Sequence, residues 1–499
     1  MLDKRHYGFD VLALLMGGVL PLAFAPMNLT ILSIITPVIL FFIIYNTPKS
    51  LAFRRGYLFG FGLFAVGTSW IYIAINDFGF TSSPMAFLLT LIFVAFVALV
   101  YGFQAMLSVV LAKRLSFAPA VFVFAVIWAL FELFRGWFLS GFPWLNLGYA
   151  HADTFLSGFA PILGVYGVSL ISLFLSAGLC LAFNVKRYYI IVAVVIVSSI
   201  YAGGWGLQTI QWTEKSAAAI KVAIVQASLP QITKWDPGQI RHRMDVYTQM
   251  SEPLWGQYDL IMWPENALTI LWQDAPLSFK TTLQQRAVET NTDLVIGVPY
   301  GDVDTEYYSA LLVLGKKPAV YRKRHLVPFG EFVPLPDFVK RMAGFFELPM
   351  SGFSAGQKNQ TVLEVAGQKM APTICYEDAF GEELIDFLPD ATVLINGSNN
   401  AWYGRSWAAA QHLQIARMRT IETQRQSIRS TTTGISAIID ERGKLVKTTE
   451  LYEKTVLTGM VQPFKGATPY VRWGNWPVIV FIGLITLIFA GRAIRLRTR

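Results

Sequence analysis

MAPTICYE (370–377) is an apolar run of strand character that ends on a cysteine and passes at once into Glu377 and Asp378. The run followed by a mixed apolar and acidic stretch over 379–387 reads as a strand turning into a helix. Working outward from it, seven more β-rich runs recur: 220–227, 258–265, 292–299, 308–315, 391–398, 427–434 and 436–443. Helical stretches are expected at 237–254, 275–290, 379–387 and 406–425. Strands alternating with helices in this way indicate a layered α/β domain. No internal repeat, low-complexity tract or phosphate-cradling glycine loop interrupts it. The five histidines are scattered and no CxxC or HExxH occurs, so no metal and no cofactor are expected.

The rest of the chain differs in kind. Of 499 residues, 54% are hydrophobic and 15% charged, where soluble domains run near ~25% charged. Disorder and a disulfide-stapled scaffold are excluded by the apolar content and by a cysteine count of two. Apolar runs near 8–26, 29–46, 57–76, 85–111, 117–134, 156–183, 188–206 and 475–491 approach the ~20 residues that cross a bilayer. Eight spans are therefore expected, the first retained instead of cleaved as a signal peptide. The domains are 1–206 with seven spans, 207–475 as the extramembrane domain, and 476–499 with the eighth span and a basic tail.

The formal charge of +9 follows the same division. Residues 207–475 carry 27 basic and 27 acidic side chains, so the excess lies wholly in the spans and their connections. Lys4, Arg5, Lys49, Arg54, Arg55, Lys113, Arg114, Lys186, Arg187, Arg492, Arg495, Arg497 and Arg499 sit on alternate connections, with Arg135 the exception. By the positive-inside rule both termini are cytoplasmic and 207–475 lies across the membrane. No nucleic-acid partner is expected, because no basic domain exists.

Three segments end β-runs on a reactive side chain. WPEN places Glu265, YRKRHLVPFGEFVP (321–334) places Lys323 and Glu331, and TICYED places Cys375 at a strand-to-helix switch. A cysteine attacks as its thiolate and needs a base or a positive neighbour, plus donors for the oxyanion formed at a carbonyl. A glutamate, a lysine and a cysteine at a helix start supply all three. Each also has an ordinary reading: a buried small hydrophobe for Cys375, a solvated loop residue for Glu265, and a solvated basic run for Lys323.

WPEN, the lysine segment, GEFVP and ICYE, in this order and spacing, resemble the nitrilase superfamily with its Glu–Lys–Cys triad. HLVPFGEFVP, NGSNNAWYG (396–404) and the eight flanking spans narrow the resemblance to its integral membrane branch, the apolipoprotein N-acyltransferases. That resemblance implies an eight-span α-helical bundle plus an extracytoplasmic nitrilase-like αββα sandwich in a bacterial inner membrane, with the catalytic domain periplasmic. It implies Glu265 as general base, Lys323 as triad lysine and Cys375 as nucleophile, supported by Glu331, Tyr376 and Glu377. It also marks Trp235 (in TKWD) beside the site, with Asn399 and Trp402 as substrate-binding residues. The activity implied is a ping-pong transfer. An sn-1 acyl group of a phospholipid, phosphatidylethanolamine by expectation, passes through a Cys375 thioester to the α-amino group of a diacylglyceryl-cysteine at a lipoprotein N-terminus. Water must be kept from that thioester. One polypeptide holds the whole triad, so a monomer suffices.

Apolar segments ALTILW (267–272) and AGFFELPMSGF (343–353) are expected to form a lipid-facing opening, with Phe345 and Phe346 touching lipid. Cys180 is expected as apolar filler in span six, leaving Cys375 without a disulfide partner in its domain. Glu132 and Arg135, at i, i+3 near the end of span five, read equally as a structural pair or a headgroup contact. Arg417, Arg419, Arg425 and Arg429 are expected on carboxylates within the fold, and His325 and His412 in structural roles. Two other functions share part of the pattern. A membrane-tethered amidase shares the triad but gives no reason for eight spans. A transporter or receptor with an outward sensing domain requires a path of intramembrane charge, which is nearly missing.

Overall fold

The computed structural model describes residues 4–79, 81–183, 186–332 and 352–495. The chain divides into two compact units: Met1–Gln211 with Ser406–Gln414 and Arg472–Arg499, and Trp212–Arg405 with Ile415–Val471.

The first unit is helical. Four helices are long and apolar enough to cross a membrane: Ser83–Ala112, Phe117–Ser140, Phe155–Ala182 and Arg187–Gln208. A fifth candidate is the pair Lys49–Gly67 and Trp70–Asp77, bent by 56°. Shorter apolar helices are Tyr7–Ala23, Leu32–Ile44 and Trp476–Arg492. All eight apolar runs of the sequence are thus helical.

Apolar side chains gain little by associating in lipid, so close backbone packing through small residues holds such helices together. A Cβ on Gly17 would lie 1.9 Å from the Phe59 carbonyl oxygen, and one on Gly62 2.2 Å from that of Leu14. On the opposite side of the Lys49–Gly67 helix, Gly56 meets the Tyr101 carbonyl in the same way, at 2.3 Å. One buried charge is paired: Asp10 binds Arg54 at 2.6 Å and Arg55 at 3.4 Å.

Glu132 and Arg135 do not bind each other. Glu132 accepts from Trp128 Nε1 and from the Leu147 N–H, both at 3.1 Å. Arg135 donates to the carbonyls of Phe142 and Trp144 and to Asn146 Oδ1. Both therefore brace the loop that follows their helix. In the same unit Gln411 Oε1 accepts from the indoles of Trp70 at 3.1 Å and Trp144 at 2.7 Å, and its amide donates to the Gly67 carbonyl.

The second unit contains fourteen described strands: β1 (Thr213–Lys215), β2 (Ile220–Gln226), β3 (Leu260–Met262), β4 (Asp293–Gly301), β5 (Tyr307–Leu314), β6 (Ala319–Arg322), β7 (Leu363–Val365), β8 (Gln368–Ile374), β9 (Val393–Ser398), β10 (Ser427–Thr431), β11 (Ala437–Ile439), β12 (Leu445–Thr448), β13 (Thr455–Val461) and β14 (Phe464–Gly466). Two six-stranded sheets have the orders β13-β2-β3-β4-β5-β6 and β12-β11-β10-β9-β8-β7, and β1 pairs with β14. Within each, three neighbouring strands run parallel, β2-β3-β4 and β8-β9-β10, while the flanking pairs are antiparallel.

Alternation along the strands sorts side chains between layers. In β2, Val222 and Ile224 join Met370, Ile374, Val393 and Ile395 of the other sheet in one core. Ala223 and Val225 point the other way, onto Met244 and Tyr247 of the Ile240–Ser251 helix. Both faces are buried, so the central strands read as continuous apolar runs. The four helical stretches expected here are helical over most of their length, the last as Ala408–Thr423. The fold is nitrilase-like.

ALTILW does not form an apolar mouth over its first half. Ala267 and Leu268 belong to the core under the helices, with Ile270 and Trp272 packed against it. A branched side chain at Gly62 tests the packing of the first unit. Gly62→Val should destabilise the protein by about 1–3 kcal/mol through overpacking, read as a lower thermal midpoint in detergent, whereas Gly8→Ala, with open space around it, should leave the midpoint unchanged.

Candidate active site

The parallel strands of a layered fold end on loops that gather functional groups, and two such exits, from β3 and β8, meet the end of the antiparallel-paired β6 here. Glu265 lies three residues beyond β3, Lys323 directly after β6 and Cys375 directly after β8. Gly297 in β4 lets the first exit lie close, since a Cβ there would sit 2.1 Å from the Pro264 carbonyl oxygen.

Lys323 is fully buried, and its Nζ donates to Glu265 Oε1 at 3.1 Å and to Glu331 Oε1 at 2.6 Å. The second oxygen of Glu331 accepts the Val327 N–H at 2.8 Å. Burial by itself lowers the lysine's pKa, but Glu265 and Glu331 foremost outweigh it and hold the ammonium well above its usual range. Burial raises Glu331, and Lys323 opposes that rise.

Cys375 opens the short helix Cys375–Ala379 with φ +51°, the left-handed region that a side chain other than glycine rarely adopts. Strain of this kind, of order ~1–3 kcal/mol, persists where surrounding contacts over-determine it and gathers at functional sites. Burial pushes the thiol up to about 12; Glu265 and Glu331 add to the rise, while Lys323 and the Asn399 main-chain N–H oppose it. Burial thus favours the thiol form, and a thiol can attack a carbonyl only as its proton passes to a base.

Glu377 holds the lysine and cysteine exits together. Its carboxylate accepts from the N–H groups of Arg324 at 2.6 Å, His325 at 3.1 Å and Ile374 at 2.6 Å, and from the Tyr321 hydroxyl at 3.0 Å. Burial raises its pKa to about 7 against the lowering pull of Lys323 and these donors. One side chain thus pins the residues on either side of Lys323 to the residue before Cys375.

The other expected site residues fall as follows. Tyr376 is buried, its ring 5.1 Å from that of Phe380. Asn399 accepts from Thr432 Oγ1 at 2.6 Å and donates to Gln231 at 3.3 Å. Trp235 and Trp402 pack with Tyr307 and Phe332 around Leu326 and Phe353, an apolar wall. Phe345 and Phe346 lie outside the described residues. His325 binds Glu383 at 2.8 Å and stacks on Phe380, and the ring of His412 packs on Trp144. Of the four arginines, two meet carboxylates, Arg419 on Glu422 and Arg429 on Asp378. Arg425 instead donates to the carbonyls of Ala391 and Gly466, a departure from expectation, and Arg417 donates to that of Gly443. Those carbonyls are buried acceptors that a guanidinium satisfies as well as a carboxylate does.

Two residues went unnoticed in the sequence. Lys234, beside Trp235, is buried and donates to the Glu265 main-chain oxygen at 3.4 Å. The Tyr403 phenol feels the charges on Cys375, Lys323, Glu265 and Glu331, and its pKa is raised, chiefly by burial. Among the described residues no group of three or more His, Cys, Asp or Glu side chains is arranged to hold a metal. The arrangement suits nucleophilic attack on a carbonyl by a thiol, with a carboxylate to take the proton and an ammonium to meet the oxyanion.

Known proteins carry the same sequence pattern. The family model of the apolipoprotein N-acyltransferase N-terminal domain matches residues 16–178, and that of the carbon-nitrogen hydrolases matches 221–468. Over 489 residues the chain is 39% identical to an apolipoprotein N-acyltransferase of Methylococcus capsulatus, covering 97% of this chain and 96% of that one. With a namesake from Pseudomonas aeruginosa it shares 36% over 501 residues, covering 98% and 97%. A solved carbon-nitrogen hydrolase from Helicobacter pylori superposes with TM-score 0.36 at 15% identity, over 53% of this chain and 92% of that one.

Replacing Glu377 by Gln keeps its shape but turns an NH2 group toward the N–H donors that surround it. Glu377→Gln should lose about 2–3 kcal/mol of stability, measured by thermal unfolding in detergent. A stability equal to wild type would remove Glu377 as the tie between the two exits.

Proposed function

The chain belongs to the apolipoprotein N-acyltransferase family, and from that premise we propose how its site transfers an acyl group. It is a membrane acyltransferase built on a carbon-nitrogen hydrolase domain. Its donor is a phospholipid, phosphatidylethanolamine foremost, and its acceptor is the α-amino group of a diacylglyceryl-cysteine at a lipoprotein N-terminus.

Glu265 takes the Cys375 proton as the sulfur attacks the sn-1 ester. Lys323 and the Tyr376 main-chain N–H meet the oxyanion. The C–O bond breaks, the glycerol oxygen leaves with the proton that Glu265 held, and lysophospholipid departs. A thioester remains, which stores acyl-transfer potential between two substrates that need not bind together. The acceptor nitrogen then attacks, the C–S bond breaks, and the amide leaves. Trp235 and Trp402 contribute to the apolar wall along which the acyl chain lies.

The same reading gives eight membrane spans, both termini on the basic cytoplasmic side of a bacterial inner membrane, and residues 207–475 as the periplasmic catalytic domain. One copy of the chain suffices. What carries the proposal is the convergence, in a chain matched to this family along 97% of its length, of Cys375 with a buried lysine shared between two glutamates.

Mass spectrometry of Cys375 after incubation with phosphatidylethanolamine should find an acyl-sized addition that disappears when a diacylglyceryl peptide is supplied. Glu265→Gln should slow formation of the adduct by a factor on the order of 10²–10⁴, and Cys375→Ala should abolish it. Full lipoprotein acylation by Cys375→Ala would refute the covalent route.

A further inference from the structure

One buried lysine beside Glu265 is left over by these steps. Lys234 lies in the turn before the Ile240–Ser251 helix and is 2% exposed, yet among the described residues its Nζ meets only the Glu265 main-chain oxygen, at 3.4 Å. No carboxylate there pairs with it. A buried ammonium without a counter-charge is costly, and such a lysine sheds its proton more readily than an exposed one. Lys323 differs in this respect, since it is locked between two carboxylates. Polar atoms of the residues following Lys234 and Glu265 are also unmet: among the described residues, Trp235 Nε1 and both side-chain polar atoms of Asn266 are buried without partners. This side of the site is therefore equipped with more hydrogen-bonding capacity than the resting protein uses.

A count of protons shows what the spare group can do. In the first half-reaction a thiol and an ester become a thioester and an alcohol. The proton moves from sulfur to oxygen through Glu265, and none is left over. The second half-reaction is unbalanced. The acceptor is an α-amine with a pKa near ~8, largely ammonium at neutral pH. Its nitrogen must lose one proton to expose the lone pair and another as the amide forms. The departing Cys375 sulfur takes back one of these by way of Glu265. The other needs a different base, and Glu331 is committed to Lys323 and the Val327 N–H.

We propose that Lys234, neutral before transfer and an ammonium after it, is that base, taking the surplus proton from the acceptor ammonium in the second half-reaction alone. The balance is then complete: thioester, ammonium and neutral lysine give amide, thiol and lysine ammonium, which returns its proton to water. The electrostatics agree with this role. Burial lowers Lys234 to about 7; Glu265 pulls it up, while Arg243, which donates to the Pro230 carbonyl, pushes it down. A base form is thus available at neutral pH. The inference rests on the thioester route above.

The test separates the half-reactions in the full-length protein in detergent. Acyl-Cys375 is formed with phosphatidylethanolamine and followed by mass spectrometry, excess lipid is removed, and a diacylglyceryl peptide is added. Lys234→Met and Lys234→Arg should acylate Cys375 at a rate within about threefold of wild type but pass the acyl group on about a hundredfold more slowly at pH 7. Arginine preserves the cation and the bond to the Glu265 carbonyl but cannot give up its proton, so it separates a base from an anchor. In both variants the deficit should shrink as pH rises past ~8, where the acceptor amine loses its proton to water. Wild-type transfer by Lys234→Arg, or equal loss of both half-reactions in Lys234→Met, would overturn the proposal in favour of an anchoring role. A wild-type protein that forms no thioester at all would bring down the underlying route, and this inference with it.

Discussion

The ammonium of Lys323, buried between Glu265 and Glu331, is the constraint around which the catalytic domain is arranged. Charges taken out of water are tolerated only when paired and hydrogen-bonded, and removing one partner of such a pair costs about 3–5 kcal/mol. The ends of β3 and β6 and the Val327–Glu331 turn must therefore come together for the fold to be stable at all. Cys375, the proposed nucleophile, comes from the other sheet, and Glu377 is what brings it into register, through donors contributed from both exits. Packing of apolar faces explains why two sheets stack; it does not explain why Cys375 stands where it does. That position follows from the buried carboxylates.

The helical unit solves a different problem with different means. Its surroundings offer no gain for burying apolar side chains, so contact is made by backbone through Gly17, Gly56 and Gly62. Polar groups inside it are spent on loops: Glu132 and Arg135 hold the segment after their helix, and Gln411 gathers two tryptophan indoles. Each buried charge or amide there satisfies groups that would otherwise be stranded in an apolar environment.

Much of this was legible in the sequence because the signals are local. All eight β-rich runs contain strands, and each apolar run is a helix, since alternation and apolar length are read over windows of several residues. Glu265, Lys323 and Cys375 stood out because each closes a β-run. What escaped was set by contacts between distant segments. Lys234 sits in a turn with nothing locally unusual about it, and only its burial against the Glu265 carbonyl gives it meaning. The partners of Arg425 are carbonyls at remote positions, which residue type does not announce. ALTILW looked like a lipid-facing mouth because its composition is apolar; its first residues are apolar because they close a core.

The protonated state of Cys375 has a consequence for the lifetime of the protein. Burial holds the thiol well above its ordinary range, so little thiolate is present near neutral pH. Peroxides and disulfides react with thiolate, not thiol. The resting sulfur is thus chemically quiet toward the oxidants that disable exposed reactive cysteines. A site that, as proposed, makes its nucleophile only when a carbonyl is in place is, between turnovers, its own antioxidant.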